Sequence, residues 1–328
     1  MITPVSINEL STWHQTGPFP ISKLWIIKQK GTKGYELHNK SVLEIQELLK
    51  QCEETSERFR GIGSLWSLND IAFNRGWILE NTDMDMRLAI IKGNMHQESK
   101  VLHSNLVFTQ CGTTVNQLTS YLEDRGKSLK VSGGSNGQTI VGAVSTGVHG
   151  GAFDYQCFSD YIKGMHLIIG PQNEDRVYLE RASEPTLNDD FAQILNSRII
   201  RDDALFNAAL VGLGSFGFIA GVVLEVEDLY SLKRYVRQIE YDDALLLSQT
   251  LDFENADFKI EEEIDSDNKP IRPYHFKTYI NQYTKDYVAE VVYKIPFQQT
   301  IYPEVEIATQ LHPDLFHLMR WALEKSDM

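Results

Sequence analysis

The feature that most restricts this chain is a run near its middle. Residues 131–151 read VSGGSNGQTIVGAVSTGVHGG, seven glycines in 21 positions. A glycine inside a helix or strand costs roughly 0.5–1 kcal/mol relative to alanine. Neither element would choose that density, so the stretch reads as a long loop whose backbone must lie close to something. Gly142, Ala143, Thr146, Gly147, Gly150 and Gly151 leave no bulk to block a ligand, and the Ser and Thr hydroxyls nearby supply donors. A second glycine turn, Gly61-Ile62-Gly63-Ser64-Leu65-Trp66-Ser67, follows a short strand-like piece at 58–60. Two such loops can wrap an extended dinucleotide from two sides.

Charge limits what they can hold. The chain has 328 residues, with 31 Lys+Arg against 45 Asp+Glu and a formal charge of -14. The basic residues do not cluster, so nucleic acid is not expected as a partner. An anionic cofactor must be held by oriented backbone N–H groups and helix N-termini more than by a general positive field. At roughly 100–200 residues per domain, and with glycine absent after Tyr230, two domains follow: 1–230 and 231–328. Cys52, Cys111 and Cys157 lack the close pairing of a zinc site or redox dithiol and read as reduced packing residues. No basic segment followed by an apolar stretch opens the chain, and 18 apolar residues never run together. A soluble cytoplasmic protein without a membrane partner is expected.

The local patterns supply the elements. Ser41 and Glu44 form an S-x-x-E capping pattern ahead of Val42, Ile45, Leu48, Leu49 and Cys52, which predicts a helix over 41–52. Thr114 and Gln117 predict a second helix, with Val115, Leu118, Tyr121 and Leu122 inward and Gly126 as its stop. Apolar runs at 77–79, 88–91, 106–108 and 165–169 read as strands, and 172–189 as a polar loop. A helix starting at Asp202 or Asp203 carries Leu205, Phe206, Ala209 and Leu210 inward and stops at Gly212. Beyond Tyr230, a helix at 242–251, strands at 275–280 and 288–295 and a last helix at 313–325 make a small antiparallel α+β domain. Gly212-Leu213-Gly214-Ser215-Phe216-Gly217 matches G-x-G-x-x-G letter for letter. A helix precedes it and a strand at 218–227 follows, the reverse of the order that sets a helix N-terminus on a pyrophosphate. It reads as a helix stop and tight turn, not as a nicotinamide site.

The Gln138-Thr-Ile-Val-Gly-Ala-Val-Ser-Thr-Gly-Val-His-Gly150 pattern, the spaced Ser159-Asp160, the Gly61-x-Gly63 turn and the run from Gly212 to Ile219 resemble the FAD-binding domain of the vanillyl-alcohol oxidase / p-cresol methylhydroxylase (PCMH-type) flavoproteins, nearest the sugar and aldonolactone oxidase branch. The likeness covers residues 20–230. It implies an α+β fold: a PCMH-type FAD-binding domain of two α/β subdomains, followed by a short antiparallel α+β substrate or cap domain. It also implies that Gly61, Ile62, Gly63, Ser64, Leu65, Trp66, Ser67, Ser135, Thr139, Gly142, Ala143 and Gly150 line the FAD pyrophosphate and ribose. Thr146, Gly147 and His149 would lie near the flavin end, and the Ile219 backbone would meet the adenine. His149 has no second ligand at a useful spacing, so no metal is expected.

The implied activity is oxidation of a C–OH group of a small alcohol, sugar or aldonolactone by hydride transfer to flavin N5, with reoxidation by O2 or another acceptor. Two departures from the pattern matter. Members of this branch often carry a flavin-linked histidine in the first loop, where aligning on residues 70–72 puts Trp66; an indole cannot form that link, so FAD is expected to be non-covalent. The second domain is shorter than in relatives. A compact variant, a truncated product and a non-catalytic FAD-binding protein with an incomplete substrate domain all remain open. A base and a donor for the small-molecule substrate would come from that domain. Alternation over 275–280 puts His275, Lys277 and Tyr279 on one face, which makes His275 and Tyr279 the catalytic candidates.

Overall fold

The computed structural model describes residues 1–281, 283 and 287–299. The helix expected at 313–325 lies outside them. The chain divides into two compact units. Met1–His149 and Cys157–Asp228 belong to the first, and Gly150–Gln156 joins the described residues between 229 and 299 in the second.

The first unit is built on two sheets. One has the strand order Ile2–Val5, Lys23–Ile27, Trp77–Glu80, Phe59–Ile62, antiparallel at the first pair and parallel thereafter. Helix α1, Tyr35–Glu54, makes the crossover between two of these strands. It is longer than its capping pattern suggested, and it starts seven residues earlier than Val42. Ser41 is no cap: it lies in mid-helix, buried, and its hydroxyl donates to the Leu37 carbonyl. Gly34 holds the N-cap position at φ 156°, a backbone region that favours glycine. Val42, Ile45, Leu48 and Cys52 of α1 pack on Trp25, Ile27, Trp77 and Leu79 of the sheet. Truncating a fully buried aliphatic such as Ile45 costs roughly 2–5 kcal/mol.

The second sheet has six strands in the order Arg198–Arg201, Arg176–Glu180, Ile162–Ile168, Phe218–Glu225, Leu106–Gln110, Arg87–Ala89. All its pairs are antiparallel except the one between Arg176–Glu180 and Arg198–Arg201. Part of the polar loop expected at 172–189 is therefore a strand. Its Val177, Tyr178 and Leu179 are buried, but the run is too short for alternation to reveal it. Helix α2, Val115–Glu123, carries the expected capping box at Thr114 and Gln117. Helix α3, Ile140–Ser145, sits inside the glycine-rich stretch, α4 is Asp189–Ile194, and α5, Asp203–Leu210, is capped by Asp202. Leu205 of α5 is exposed, contrary to its inward assignment, whereas Phe206, Ala209 and Leu210 are buried.

The second unit is a three-stranded antiparallel sheet, Tyr230–Gln238, Tyr287–Pro296, His275–Ile280. One face, with Ala289, Val291 and Tyr293, packs on Ala244 and Leu247 of α6, Tyr241–Thr250. Tyr230 begins a strand of this sheet.

A polar chain crosses the core of the first unit. Gln110 Nε2 donates to His38 Nδ1 at 2.9 Å, His38 and His166 share a 2.8 Å bond, and His166 Nε2 meets Ser197 Oγ at 2.8 Å. An amide NH2 can only donate, so the Gln110 bond makes His38 Nδ1 an acceptor and sets every later donor in the row. The Ser197 hydroxyl ends the row on the Leu195 carbonyl. Burial pushes His38 down to about 3, and burial with the neighbouring His38 and Arg176 puts His166 well below the ordinary histidine value. Both rings are neutral in the fold and regain an ordinary pKa near 6.5 on unfolding. Stability is therefore complete above about pH 6.5 and declines as pH falls below it, by up to about 1.4 kcal/mol per pH unit for each ring. Urea midpoints measured across this range should hold above neutrality and drop on acidification. His166→Gln should be less stable at neutral pH yet show a shallower acid slope, and an unchanged slope would remove the histidines as its source.

Candidate functional site

A cavity of about 920 Å³ lies within the first unit, at the upper end of the size range usual for ligand pockets. Three loop segments wall it, each placed by a regular element. Residues 61–67 leave the end of strand Phe59–Ile62. Residues 138–148 run through α3, whose start is tied to α2 by bonds from Val115 N to Gln138 O and from Ile140 N to Thr113 O. Residues 213–219 run from the turn after α5 into strand Phe218–Glu225.

The first two segments meet at glycine. A Cβ on Gly63 would lie 2.6 Å from Thr139 Cγ2, and one on Gly137 would lie 2.6 Å from Trp66 Cε3. Gly61 is similarly bare against the Phe218 ring, 2.5 Å from where its Cβ would be. Thr139 is fixed in turn, because its hydroxyl caps α3 by accepting from Gly142 N at 3.3 Å. Trp66 stacks on Trp13 with ring centroids 4.2 Å apart and 26° between planes.

Gly61, Ile62, Gly63, Ser64, Leu65, Trp66 and Ser67 all line the cavity, as do Thr139, Gly142, Ala143, Thr146 and Ile219. Ser135, Gly147, His149 and Gly150 do not. Ser135 is buried, Gly147 follows the C-cap of α3 at φ 67° against Val211, His149 is exposed, and Gly150 belongs to the second unit. The Thr146 hydroxyl is already given to Gly142 O. Sequence reasoning missed Asn81, Arg60 and the turn 213–217 as wall residues. The G-x-G-x-x-G letters were the available signal for that turn, and it proves to be both a helix stop and a cavity wall.

The residues present fit a dinucleotide. Among the described residues, no protein acceptor takes the backbone N–H groups of Ser64, Leu65 and Trp66, which line the cavity, and such groups can neutralise a diphosphate in an acidic chain. Cys52 and Cys111 also line it, but burial, with Glu57 beside the first, pushes these thiols up to about 11 and about 12. Both are unreactive protonated thiols at neutral pH.

In the second unit, His275, Lys277 and Tyr279 pair in register with Val292, Glu290 and Val288, so all six side chains share the sheet face opposite α6. Glu290, which sequence reasoning missed, is the centre of this face. It accepts from Arg234 Nη2 at 2.7 Å, Lys277 Nζ at 3.1 Å and the Tyr279 hydroxyl at 3.3 Å. Burial alone would raise its carboxyl, but the bonds from Lys277 and Arg234 outweigh that and hold it below the usual range. The His275 ring lies on Gly151, where a Cβ would be 2.6 Å from its Cδ2. Burial first, then the Lys277 charge, lower its pKa.

The comparisons with known proteins agree with this cavity. Residues 37–172 match a family model described as FAD binding domain. The chain is 26% identical over 233 residues to an L-gulono-1,4-lactone dehydrogenase of Mycobacterium tuberculosis, covering 71% of this chain and 45% of that protein. It is 23% identical over 229 residues to the mitochondrial L-galactono-1,4-lactone dehydrogenase of Brassica oleracea, covering 68% and 33%. The chain spans less than half the length of these relatives. Among solved structures, cholesterol oxidase from B. sterolicum superposes with a TM-score of 0.59 at 11% identity, covering 99% of this chain and 55% of that one. Among the described residues no helix is long and apolar enough to cross a membrane.

If the glycine contacts shape the cavity, Gly137→Ala and Gly63→Ala should each weaken FAD binding about tenfold or more in fluorescence titrations of flavin-free protein. Gly134→Ala, whose new Cβ meets nothing within 4 Å, should leave it unchanged; equal effects at all three positions would contradict this account. On these grounds residues 37–172 of the chain carry an FAD binding domain.

Proposed function

We propose that the chain holds FAD non-covalently in the cavity of the first unit and oxidises a C–OH group of a small sugar, aldonolactone or alcohol. The observation that carries this reading is the meeting of residues 61–67 with Thr139 and α3 around one dinucleotide-sized space. The names of the matched lactone dehydrogenases support the substrate class. Bound FAD would supply the two-electron acceptor for hydride from the carbinol carbon.

The chain's own groups do the rest. Ser64, Leu65 and Trp66 offer N–H groups to the diphosphate, and Thr139, Gly142 and Ala143 form the opposite wall. Trp66 presents an indole at the position where a flavin-linking histidine would stand, and the two lining thiols are held protonated, so nothing in the wall forms a covalent link. His275 is the proposed acceptor of the substrate hydroxyl proton. Its lowered pKa keeps the ring neutral, and therefore basic, at neutral pH. Tyr279, whose hydroxyl donates to Glu290, is the second proposed residue, orienting the substrate by accepting at its oxygen.

Freshly purified protein should show flavin bands that pass wholly to the supernatant on acid precipitation; flavin in the pellet would refute the non-covalent assignment. Anaerobic mixing with aldonolactones, sugars and alcohols should then bleach the bound flavin. Retained FAD that none of these reduces would replace the enzyme reading with that of a non-catalytic FAD-binding protein. His275→Ala should slow bleaching by about a hundredfold or more with FAD content unchanged. In the wild type the rate should stay flat on acidification through the ordinary histidine range and fall only below it.

A further inference from the structure

Arg60 is the only cationic side chain among the described residues that line the cavity. It sits on strand Phe59–Ile62, immediately before the first glycine turn. Its Nη2 donates to the Leu213 carbonyl at 2.9 Å. A Cβ on Gly214 would be 3.8 Å from Cζ, Nη1 and Nη2 alike, so the guanidinium lies with its flat face over the turn. A guanidinium has five N–H donors, and among the described residues the Leu213 carbonyl is the one acceptor this side chain meets. Glu53 and Glu57 also line the cavity, yet among the described residues Arg60 forms no ion pair. In a chain with 14 more acidic than basic residues, that is unusual, because desolvating an arginine without a counter-charge is costly. Burial does draw its pKa down.

We propose that Arg60 is a positioning residue for the diphosphate of the bound dinucleotide. Its remaining N–H donors supply the counter-charge that the backbone groups of residues 64–66 cannot, and they make the site select a diphosphate-bearing ligand over the bare nucleoside. This rests on the FAD reading of the cavity and goes beyond it. A guanidinium can hold Leu213 O and a phosphoryl oxygen together through separate nitrogens, whereas an ammonium is a point charge on a flexible stem and does not reproduce that fork.

The test uses the flavin-free chain and calorimetric titration with FAD, ADP and adenosine. The wild type should bind ADP at least tenfold more tightly than adenosine, and added salt should weaken ADP binding. Arg60→Met should lose about tenfold or more for FAD and ADP, keep its adenosine affinity, and lose the salt dependence; Arg60→Lys should fall between the two. Gly214→Ala, which strains the turn at φ 80° but leaves the guanidinium in place, provides the signature of a disturbed wall: adenosine and ADP weakened together. If Arg60→Met shows that signature, Arg60 only holds the turn and the proposal fails. If the wild type binds neither FAD nor ADP, it is the cofactor reading that fails, and this proposal with it.

Discussion

Two reciprocal contacts hold the cavity in shape. The first loop offers a bare Gly63 to the Thr139 side chain, and the second stretch offers a bare Gly137 to the Trp66 ring. Each loop thus supplies one glycine and one bulky group to the other, and neither contact survives the addition of a methyl without movement. Thr139 cannot yield cheaply because its hydroxyl caps α3, and Trp66 cannot because its other face is stacked on Trp13. The backbone bonds from Val115 and Ile140 then tie this pair to α2 and the second sheet. Glycine is used here for closeness, which explains a density that no regular element would tolerate.

Charge is distributed by the same economy. A chain of net charge -14 cannot gather a positive field around a diphosphate, so fixed dipoles and one arginine stand in for it. Backbone N–H groups need no counter-ion and add no charge when the ligand is away. Where several cations do converge, as Arg234 and Lys277 do, a buried carboxylate, Glu290, is already at the centre to receive them. Among the described residues Arg60 has no such partner, and this contrast is what separates a structural ion pair from a group with capacity left over.

Much of the first unit was legible from the sequence because its signals are local. The capping box at Thr114, the cap at Asp202, the first glycine turn and the strand at Phe218 each depend on residues within a few positions of one another. Illegible parts depend on distant partners. The start of α1 is set by Gly34 and by burial against the sheet, so the Ser41 pattern, sound as a local cap, loses to a helix that had already begun. α3 forms within the glycine-rich stretch because Thr139 caps it and its Ile140, Ala143 and Val144 are buried; neither condition can be counted from glycine content. Glu290 escaped notice because on its own strand it reads as one charged residue among apolar ones, and its meaning comes from register with Lys277 and its reach to Arg234.

The turn at 212–217 shows how one motif can satisfy two demands. As a sequence it matches a dinucleotide fingerprint, and its context, helix before and strand after, excludes the usual mechanism in which a helix N-terminus faces the phosphates. The structure places it in the wall of the cavity all the same, by different physics. Leu213 and Gly214 adopt φ of 50° and 80°, and Gly217 of 116°, conformations that reverse the chain within a few residues of the end of α5. That reversal presents the Leu213 carbonyl to Arg60 and its N–H to the Ser145 carbonyl at 3.3 Å. One residue thereby joins the strand side of the cavity to the end of α3. Glycine at 214 and 217 is required by the turn, and the wall follows from where the turn must point its peptide groups.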